Sequence, residues 1–288
     1  MTTFARDLQR PEGPVALPDG SFLVVEGGRG SVTQIMPGGR STRVIATTGE
    51  PNGLAVDRAG AIWVADVRPS ALIRLTMDGK FERVLMKYRD EPFMYPNDLC
   101  FGPDGALYLT DSGFFVDDLE SGGVIRPDWK RLKMDGRIYR IDPKTLAIEK
   151  LDDGIYLANG LAFGPDGALY VAETVGGAIY RYAWNAGRLG PRQDFGNVLV
   201  VKERADLVGP DGMAFDTNGK LYVAVAGQGD VTVLGRDGAV LERIRAPGLF
   251  PTNVCFGLPG TKKIYVTEYE KGHVECYDVD ADGFPLYG

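Results

Sequence analysis

Residues 159–174 read NGLAFGPDGALYVAET, a pattern typical of a β-hairpin. Two apolar runs, 161–163 and 169–172, flank the tripeptide Pro-Asp-Gly at 165–167. Proline presets one turn residue, and glycine accepts the positive φ that closes a hairpin. Because both runs are apolar on both faces, they predict two paired strands that are covered on both sides. Asn159 opens the first strand and Glu173 ends the second, so both are expected at the same end of the hairpin.

The same unit occurs six times along the chain. In every copy a turn glycine lies eight positions after a polar opening residue, and in five copies a proline precedes that residue. Proline suits the start of a strand, where no ladder donor is required. The six opening residues are Glu12, Asn52, Asn97, Asn159, Asp211 and Thr252. Such regular self-similarity is typical of repeat architectures.

Further strand patterns between the copies give about four strands per repeat, which is the blade of a β-propeller. We therefore predict an all-β fold, a six-bladed β-propeller with about four antiparallel strands per blade, in which residues 1–288 form a single domain. The copy that begins at Thr252 runs short of a fourth strand. The segment from Thr3 to Leu8 is expected to supply that strand and close the ring, which would leave no open blade edge.

Composition limits the function classes. The formal net charge of −7 argues against nucleic-acid binding, and no apolar run approaches the length of a membrane span. Three cysteines cannot form a full disulfide set, and Cys100 and Cys255 lie in apolar strand patterns as expected for free buried thiols. We expect a cytoplasmic protein that is a monomer or small homo-oligomer and has no nucleic-acid or membrane partner.

The opening residues should converge on the propeller axis, because the first strand of each blade lies nearest to it. All six bear oxygen atoms, and burying them without a partner would be costly. Carboxylate and amide oxygens suit a hard cation such as Ca²⁺, whereas the absence of Cys and His from this ring argues against structural Zn²⁺. The alternative is that these side chains cap turns and hold channel waters.

A second polar ring is predicted outside the first. Carboxylates follow five of the opening residues, fourteen positions on in four copies and sixteen in the last, while a valine replaces the carboxylate in the fifth copy. They are Glu26, Asp66, Asp111, Glu173 and Glu268. We expect these outer carboxylates to accept hydrogen bonds from backbone groups at the ends of the blades.

One interval between repeats is long, with 62 residues from Asn97 to Asn159, and the excess lies between Gly113 and Asp135. A long loop in a compact domain is often a lid or binding loop, although it can be a decorated surface loop. Its aromatic residues are expected to remain outside a core, and the loop is expected at the same end of the propeller as the polar ring.

Four motifs carry a family resemblance. PND at 96–98, LTD ending at Asp111, ANG around Asn159 and GPDG at 209–212 resemble the senescence marker protein/gluconolactonase family, in matching order from Glu12 to Glu268. The resemblance implies a six-bladed propeller with one divalent cation on its axis, calcium first, with zinc, manganese, magnesium and iron as alternatives. The paraoxonases and diisopropyl fluorophosphatase are similar in ring chemistry but look more distant in motif.

Site residues follow from this resemblance. The implied metal ligands are Glu12, Asn97, Asn159 and Asp211, and the implied catalytic residues are Asp211 and Asn97. Animal sugar lactonases of the family carry an arginine two residues before the Asn97 position, where this chain has Tyr95. A phenol offers one hydroxyl and an apolar face instead of a charged fork, so a less polar lactone is expected. The expected substrate contacts are Tyr95, Asn97, Asn52, Phe114 and Trp129.

The leading hypothesis is a divalent-metal-dependent hydrolase that opens a small-molecule lactone or ester. Here the cation polarises the ester carbonyl, and either Asp211 or a hydroxide on the cation serves as the base. A phosphotriesterase-like hydrolase and a non-catalytic propeller binding module are the alternatives. His273 aligns with no ring residue, which argues against a Ser-His-Asp triad, and the sequence GGRGS at 27–31 predicts a turn rather than a phosphate loop.

Overall fold

The computed structural model describes residues 1–121, 124–201 and 206–288. Within these ranges the strands form six four-stranded antiparallel sheets, arranged as the blades of a six-bladed β-propeller. The predicted fold class and the number of strands per blade are therefore confirmed.

The first half of the chain builds three blades. Strand β1 covers Thr2–Ala5; blade 1 then contains β2 (Pro11–Ala16), β3 (Phe22–Glu26), β4 (Ser31–Ile35) and β5 (Thr42–Thr47), with a 3-10 turn at Pro37–Gly39. Blade 2 contains β6 (Pro51–Val56), β7 (Ile62–Val67), β8 (Ser70–Leu75) and β9 (Phe81–Leu85), followed by the short pair β10 (Lys87–Tyr88) and β11 (Glu91–Pro92). Blade 3 begins with β12 (Pro96–Phe101) and β13 (Leu107–Asp111).

An insertion interrupts blade 3 before its last two strands. It contains the helical turn α1 (Val116–Leu119), the short pair β14 (Glu120–Ser121) and β15 (Val124–Ile125), and a 3-10 turn at Trp129–Arg131. The blade is then completed by β16 (Gly136–Ile141) and β17 (Ile148–Ile155).

The second half of the chain repeats the pattern. Blade 4 contains β18 (Ala158–Phe163), β19 (Leu169–Glu173), β20 (Ala178–Tyr182) and, after the short pair β21 (Trp184–Asn185) and β22 (Arg188–Leu189), β23 (Gln193–Asn197). Blade 5 contains β24 (Gly209–Phe215), β25 (Leu221–Ala226), β26 (Asp230–Leu234) and β27 (Val240–Arg245). Blade 6 contains β28 (Pro251–Phe256), β29 (Lys263–Glu268) and β30 (His273–Asp278).

The hairpins between the first two strands of the blades have the predicted geometry. All six turn glycines have positive φ, between 72° and 86°, which L side chains rarely adopt. The register pairs Ala158 with Glu173 in blade 4, and Pro96 with Asp111 in blade 3. The polar opening residues and the outer carboxylates therefore lie at one end of the propeller.

Closure of the ring is also as predicted. Strand β1 pairs antiparallel with β30, with Thr2 opposite Cys276. Strand β1 thus supplies the fourth strand of blade 6. Phe4 packs against Phe22 of blade 1 and Tyr265 of blade 6, with ring centroids 5.1 and 4.9 Å apart. The first strand of the chain thus completes the sheet that the last three strands form, which joins blade 6 to the segment leading into blade 1.

Apolar clusters lie between neighbouring blades. One contains Trp63 and Leu72 of blade 2 with Leu107 and Tyr139 of blade 3, all fully buried. These strands read as apolar on both faces because each sheet is sandwiched between two others. No helix in the described ranges has the length and apolar character needed to cross a membrane.

The insertion has a small core of its own, and the expectation that its aromatic residues stay outside a core is wrong for two of them. Phe114 and Trp129 are buried together with Leu157, at 6%, 4% and 5% exposure. The helical turns of the insertion fold these side chains over Tyr95 and Leu157, which precede the first strands of blades 3 and 4. Phe115, in contrast, remains exposed.

Candidate metal centre and active site

The candidate ligands come from the first strands of four blades. Glu12, Asn97 and Asn159 are the second residues of β2, β12 and β18, and Asp211 is the third residue of β24. The three second-position residues are buried, at 7%, 5% and 7% exposure. Strand order thus places the predicted ligands at one end of the central channel.

The two asparagines are held in a fixed orientation. Asn97 Nδ2 donates to Ser112 Oγ at 3.0 Å, and Asn159 Nδ2 donates to Thr174 Oγ1 at 3.1 Å. Each hydroxyl in turn donates to a backbone carbonyl of the next blade, at 2.9 Å. Among the described residues neither asparagine Oδ1 has a hydrogen-bond partner, although both atoms are buried. An unpaired buried acceptor is costly, so these two oxygens fit a cation ligand set.

Carboxylates crowd the same place. Glu12 Oε2 accepts hydrogen bonds from Asn253 Nδ2 at 2.9 Å and from the Gly13 amide. Burial raises the pKa of Glu12, and the nearby negative charges of Asp211 and Asp98 raise it further. Burial also raises the pKa of Asp211, again with Asp98 as the nearest like charge. Like charges held together in a buried site favour a bound cation or protonation.

Two side chains of this site escaped the sequence analysis, Asp98 and Asn253. Each directly follows an opening residue, at a position where the other four blades have glycine. A Cβ on Gly212 would lie 2.0 Å from Asn253 Cγ, so that glycine leaves the space that Asn253 fills. Burial raises the pKa of Asp98 to about 7. The two interruptions of the glycine pattern were the signal that could have found them.

The donor set is mixed rather than purely acidic. In the described part of the chain no cluster of three or more His, Cys, Asp or Glu side chains is arranged to hold a metal. A cation here would depend on the amide oxygens of Asn97 and Asn159 as well as on the carboxylates of Glu12 and Asp211. Amide and carboxylate oxygens are the ligands that Ca²⁺ prefers.

The outer carboxylates have the structural role that was predicted. Asp111 accepts hydrogen bonds from the backbone amides of Met94 at 2.8 Å and of Tyr95 and Gly113 at 3.0 Å. Glu268 likewise accepts from the Phe250 amide at 3.0 Å. These groups brace the segments that lead into and out of the blades.

The substrate-contact residues predicted from sequence lie in different places. Tyr95 donates through its hydroxyl to Asn52 Oδ1 at 3.3 Å, and Asn52 Nδ2 donates to the carbonyl of Asn97 at 3.2 Å. Phe114 packs on the Tyr95 ring at 5.2 Å between centroids, whereas Trp129 lies in the core of the insertion. Tyr95, Asn52 and Asn97 are therefore brought together, with Phe114 behind them.

The phenols of Tyr95 and Tyr269 lie near this site. Burial raises the pKa of both, and the charge of Asp211 adds to the shift in each case.

His273 is paired with Glu275 at 3.1 Å. The GGRGS stretch forms a turn in which the Arg29 amide donates to the Glu26 carbonyl at 3.1 Å.

Comparison with known proteins fits this geometry. The family model described as the SMP-30/Gluconolactonase/LRE-like region matches residues 10–270. The chain belongs to this family. The match spans every opening residue from Glu12 to Thr252, so the resemblance drawn from four motifs is confirmed.

Relatives of the SMP-30/gluconolactonase/LRE-like family include enzymes with different named activities. The gluconolactonase of Zymomonas mobilis is 28% identical over 279 residues, covering 89% of this chain and 75% of that protein. The diisopropyl-fluorophosphatase of Loligo vulgaris is 30% identical over 310 residues, covering 99% and 94%. Overall identity does not test the expectation that diisopropyl fluorophosphatase is more distant in motif, which stays a prediction.

Solved structures also share the fold of this chain. A gluconolactonase from Xanthomonas campestris superimposes with a TM-score of 0.77 at 25% identity, covering 94% of this chain and 86% of that one. The calcium-binding protein regucalcin from Agrobacterium tumefaciens gives a TM-score of 0.81 at 21% identity, covering 100% and 97%, which shows the shared fold.

Proposed function

We propose that this protein is a divalent-cation-dependent hydrolase that opens the ring of a small lactone. One observation carries the proposal: beside the carboxylates of Glu12 and Asp211, the buried amide oxygens of Asn97 and Asn159 have no hydrogen-bond donor in the part of the chain that the structure describes. The named activities of its relatives, gluconolactonase and sulfogluconolactonase among them, support the same reaction class.

Calcium is the proposed cation. The four candidate ligands offer only oxygen atoms, and their mixture of carboxylates with neutral amides suits a hard, flexibly coordinated ion. The hydrogen bonds that the two asparagines donate to the Ser112 and Thr174 hydroxyls fix which atom each asparagine turns towards the channel, because each amide nitrogen is already engaged. Such outer partners orient ligands and tune affinity.

The chain's own residues divide the remaining work. A bound divalent cation would supply a Lewis acid that polarises the ester carbonyl. Asp211, at the floor of the mouth, holds the attacking water and accepts its proton. Asn97 is fixed by Ser112 and orients the reacting ester, while Tyr95, held by Asn52, presents an aromatic face to the apolar part of the lactone.

The insertion is proposed to cover the mouth and select substrates. Its core rests on Tyr95 and Leu157, and Asp117 of α1 pairs with Arg68 of blade 2 at 2.8 Å. The insertion is thus attached on two sides of the channel. Excluding water from such a site strengthens the electrostatic interactions inside it.

A hydrolase of phosphotriesters is the second candidate function, because the squid diisopropyl-fluorophosphatase is 30% identical over 94% of its length. The Tyr95 phenol carries no charge and offers a single hydroxyl, so this position is compatible with both activities. Parallel assays of a lactone and an organofluorophosphate on one preparation separate them: the true substrate class is the one with the higher kcat/KM.

Location and assembly remain proposals. The three cysteines are free thiols, which suits the reducing cytoplasm. The single-domain interpretation of residues 1–288, the monomeric or small homo-oligomeric state, and the absence of nucleic-acid and membrane partners stay predictions.

The decisive experiment removes one ligand at a time. Asp211→Asn and Glu12→Gln keep size and shape but remove charge, so we expect metal affinity to fall by at least about tenfold and lactone hydrolysis with it. Circular dichroism should stay unchanged, and Asp280→Asn, at a side chain that is 92% exposed, serves as the control. Full lactonase activity in protein that contains no divalent metal would refute the proposal.

A further inference from the structure

Arg10 occupies the same place in blade 1 that Tyr95 occupies in blade 3. Each lies two residues before the opening residue of its blade, Glu12 or Asn97. In blade 4 the equivalent residue, Leu157, is packed under the insertion at the channel mouth. The repeat therefore places Arg10 on the rim of the proposed active site.

The guanidinium of Arg10 lies against an aromatic ring at that rim. Its Cζ is 5.4 Å from the centroid of Tyr269, a contact in the range of cation–π attraction. Burial raises the pKa of Tyr269. The positive charge of Arg10 opposes this shift, and the negative charge of Asp211 adds to it. Arg10 thus contacts a phenol on which the charge of the proposed catalytic carboxylate also acts.

The surrounding chain is shaped to hold Arg10 there. Its carbonyl accepts a hydrogen bond from the Gly27 amide at 3.1 Å. A Cβ at Gly28 would lie 3.3 Å from Arg10 Cγ and 3.1 Å from Gln9 Cβ, so this glycine makes room for the side chain. The glycine-rich turn found in the sequence therefore has a role beside an open cleft that Arg10, Glu50 and Tyr269 line.

The Arg10 guanidinium is available to bind a ligand in this cleft. Glu50 also lines the cleft, but its carboxylate pairs with Arg68 at 2.7 Å. Within the described residues, Arg10 makes no side-chain hydrogen bond or ion pair of its own. A guanidinium fork matches the paired oxygens of a carboxylate, sulfonate or phosphate.

We propose that Arg10, stacked on Tyr269, is a subsite that binds an anionic group on the lactone substrate. The inference rests on the proposed lactonase function and specifies its substrate class. Tyr95 then receives the apolar part of the lactone ring while Arg10 receives the charged substituent, which orients the ester over Asp211.

The test compares two lactones with the same ring, a neutral aldonolactone and the aldaric acid monolactone that carries a carboxylate. We expect the wild-type protein to prefer the carboxylated lactone, and Arg10→Gln to lower the ratio of the two kcat/KM values by roughly 10- to 100-fold, the range of one charge-assisted hydrogen bond. Arg10→Lys should restore part of the ratio.

A matched control is available at Arg89, an exposed arginine that also has positive φ and stacks on a tyrosine, 4.9 Å from the Tyr88 centroid. Arg89→Gln should leave the ratio unchanged. An equal ratio in Arg10→Gln and wild type would overturn the subsite.

Calorimetric binding of the open-chain hydroxy dicarboxylate separates the subsite from the reaction. If neither lactone is hydrolysed, the proposed function fails, yet binding of the dicarboxylate that weakens about tenfold or more in Arg10→Gln still supports the subsite. Binding of equal strength in both proteins would overturn it.

Discussion

Gly212→Ala is the sharpest test of how the metal centre is built. A Cβ at this position would lie 2.0 Å from Asn253 Cγ, 2.2 Å from its Oδ1 and 2.3 Å from its Nδ2. Non-bonded carbon atoms rest at about 3.5–4.0 Å, so Asn253 has to leave its place. Gly212 does not have positive φ, so the added methyl group meets no backbone strain of its own.

The cost follows from what Asn253 holds. Its Nδ2 donates to Glu12 Oε2 at 2.9 Å, a hydrogen bond to a charged group, and such bonds contribute about 1.5–3 kcal/mol. Losing this support for a ligand should weaken calcium binding by roughly 10- to 100-fold. Overpacking by the methyl group should lower the free energy of unfolding by about 1–3 kcal/mol.

Calcium titration by calorimetry and urea unfolding in chelator measure the two effects separately. Gly190→Ala is the matched control, because a Cβ at Gly190 would lie 3.4 Å from its nearest neighbour, Ala183 Cβ, which is an ordinary contact distance. In the double variant Gly212→Ala/Asn253→Ala the clash disappears, so stability should recover in part while calcium affinity stays low. Wild-type calcium affinity in Gly212→Ala would refute this account of the site.

Three further predictions concern the mouth, the insertion and the closure of the ring. Tyr95→Phe removes a neutral hydrogen bond to Asn52, which is worth about 1 kcal/mol. The kcat/KM for an alkyl lactone should therefore fall less than about tenfold. A strong preference for a sugar lactone that this change abolishes would contradict the polarity assigned to the substrate pocket. Trp129→Ala removes the largest side chain from the core of the insertion and should destabilise the insertion by about 3–5 kcal/mol. The relative rates across a panel of lactones should change while the metal content stays the same. Unchanged selectivity would mean that the insertion is only a surface loop. Phe4→Ala removes ring contacts across the closing sheet, so it should lower the free energy of unfolding by about 2–3 kcal/mol for this half-buried side chain, and the urea midpoint with it. An unchanged midpoint would show that closure depends on the backbone pairing alone.

The repeat itself was readable from the sequence, because its signals are local. A glycine with positive φ eight residues after a polar residue specifies a hairpin, and six such hairpins at regular spacing specify blades. The same regularity predicted that Glu12, Asn97, Asn159 and Asp211 share one end of the channel, since equivalent positions of a propeller converge. Even the closing strand near Thr3 followed from counting strands.

What the sequence did not specify depends on distances between blades. Asn253 reaches Glu12 across the gap between blades 6 and 1, in space that Gly212 of blade 5 leaves free. Trp129 is buried because the insertion folds back over Leu157 of the next blade. Such contacts join residues far apart in the chain, and no local pattern reports them, because each depends on how closely neighbouring blades approach the axis.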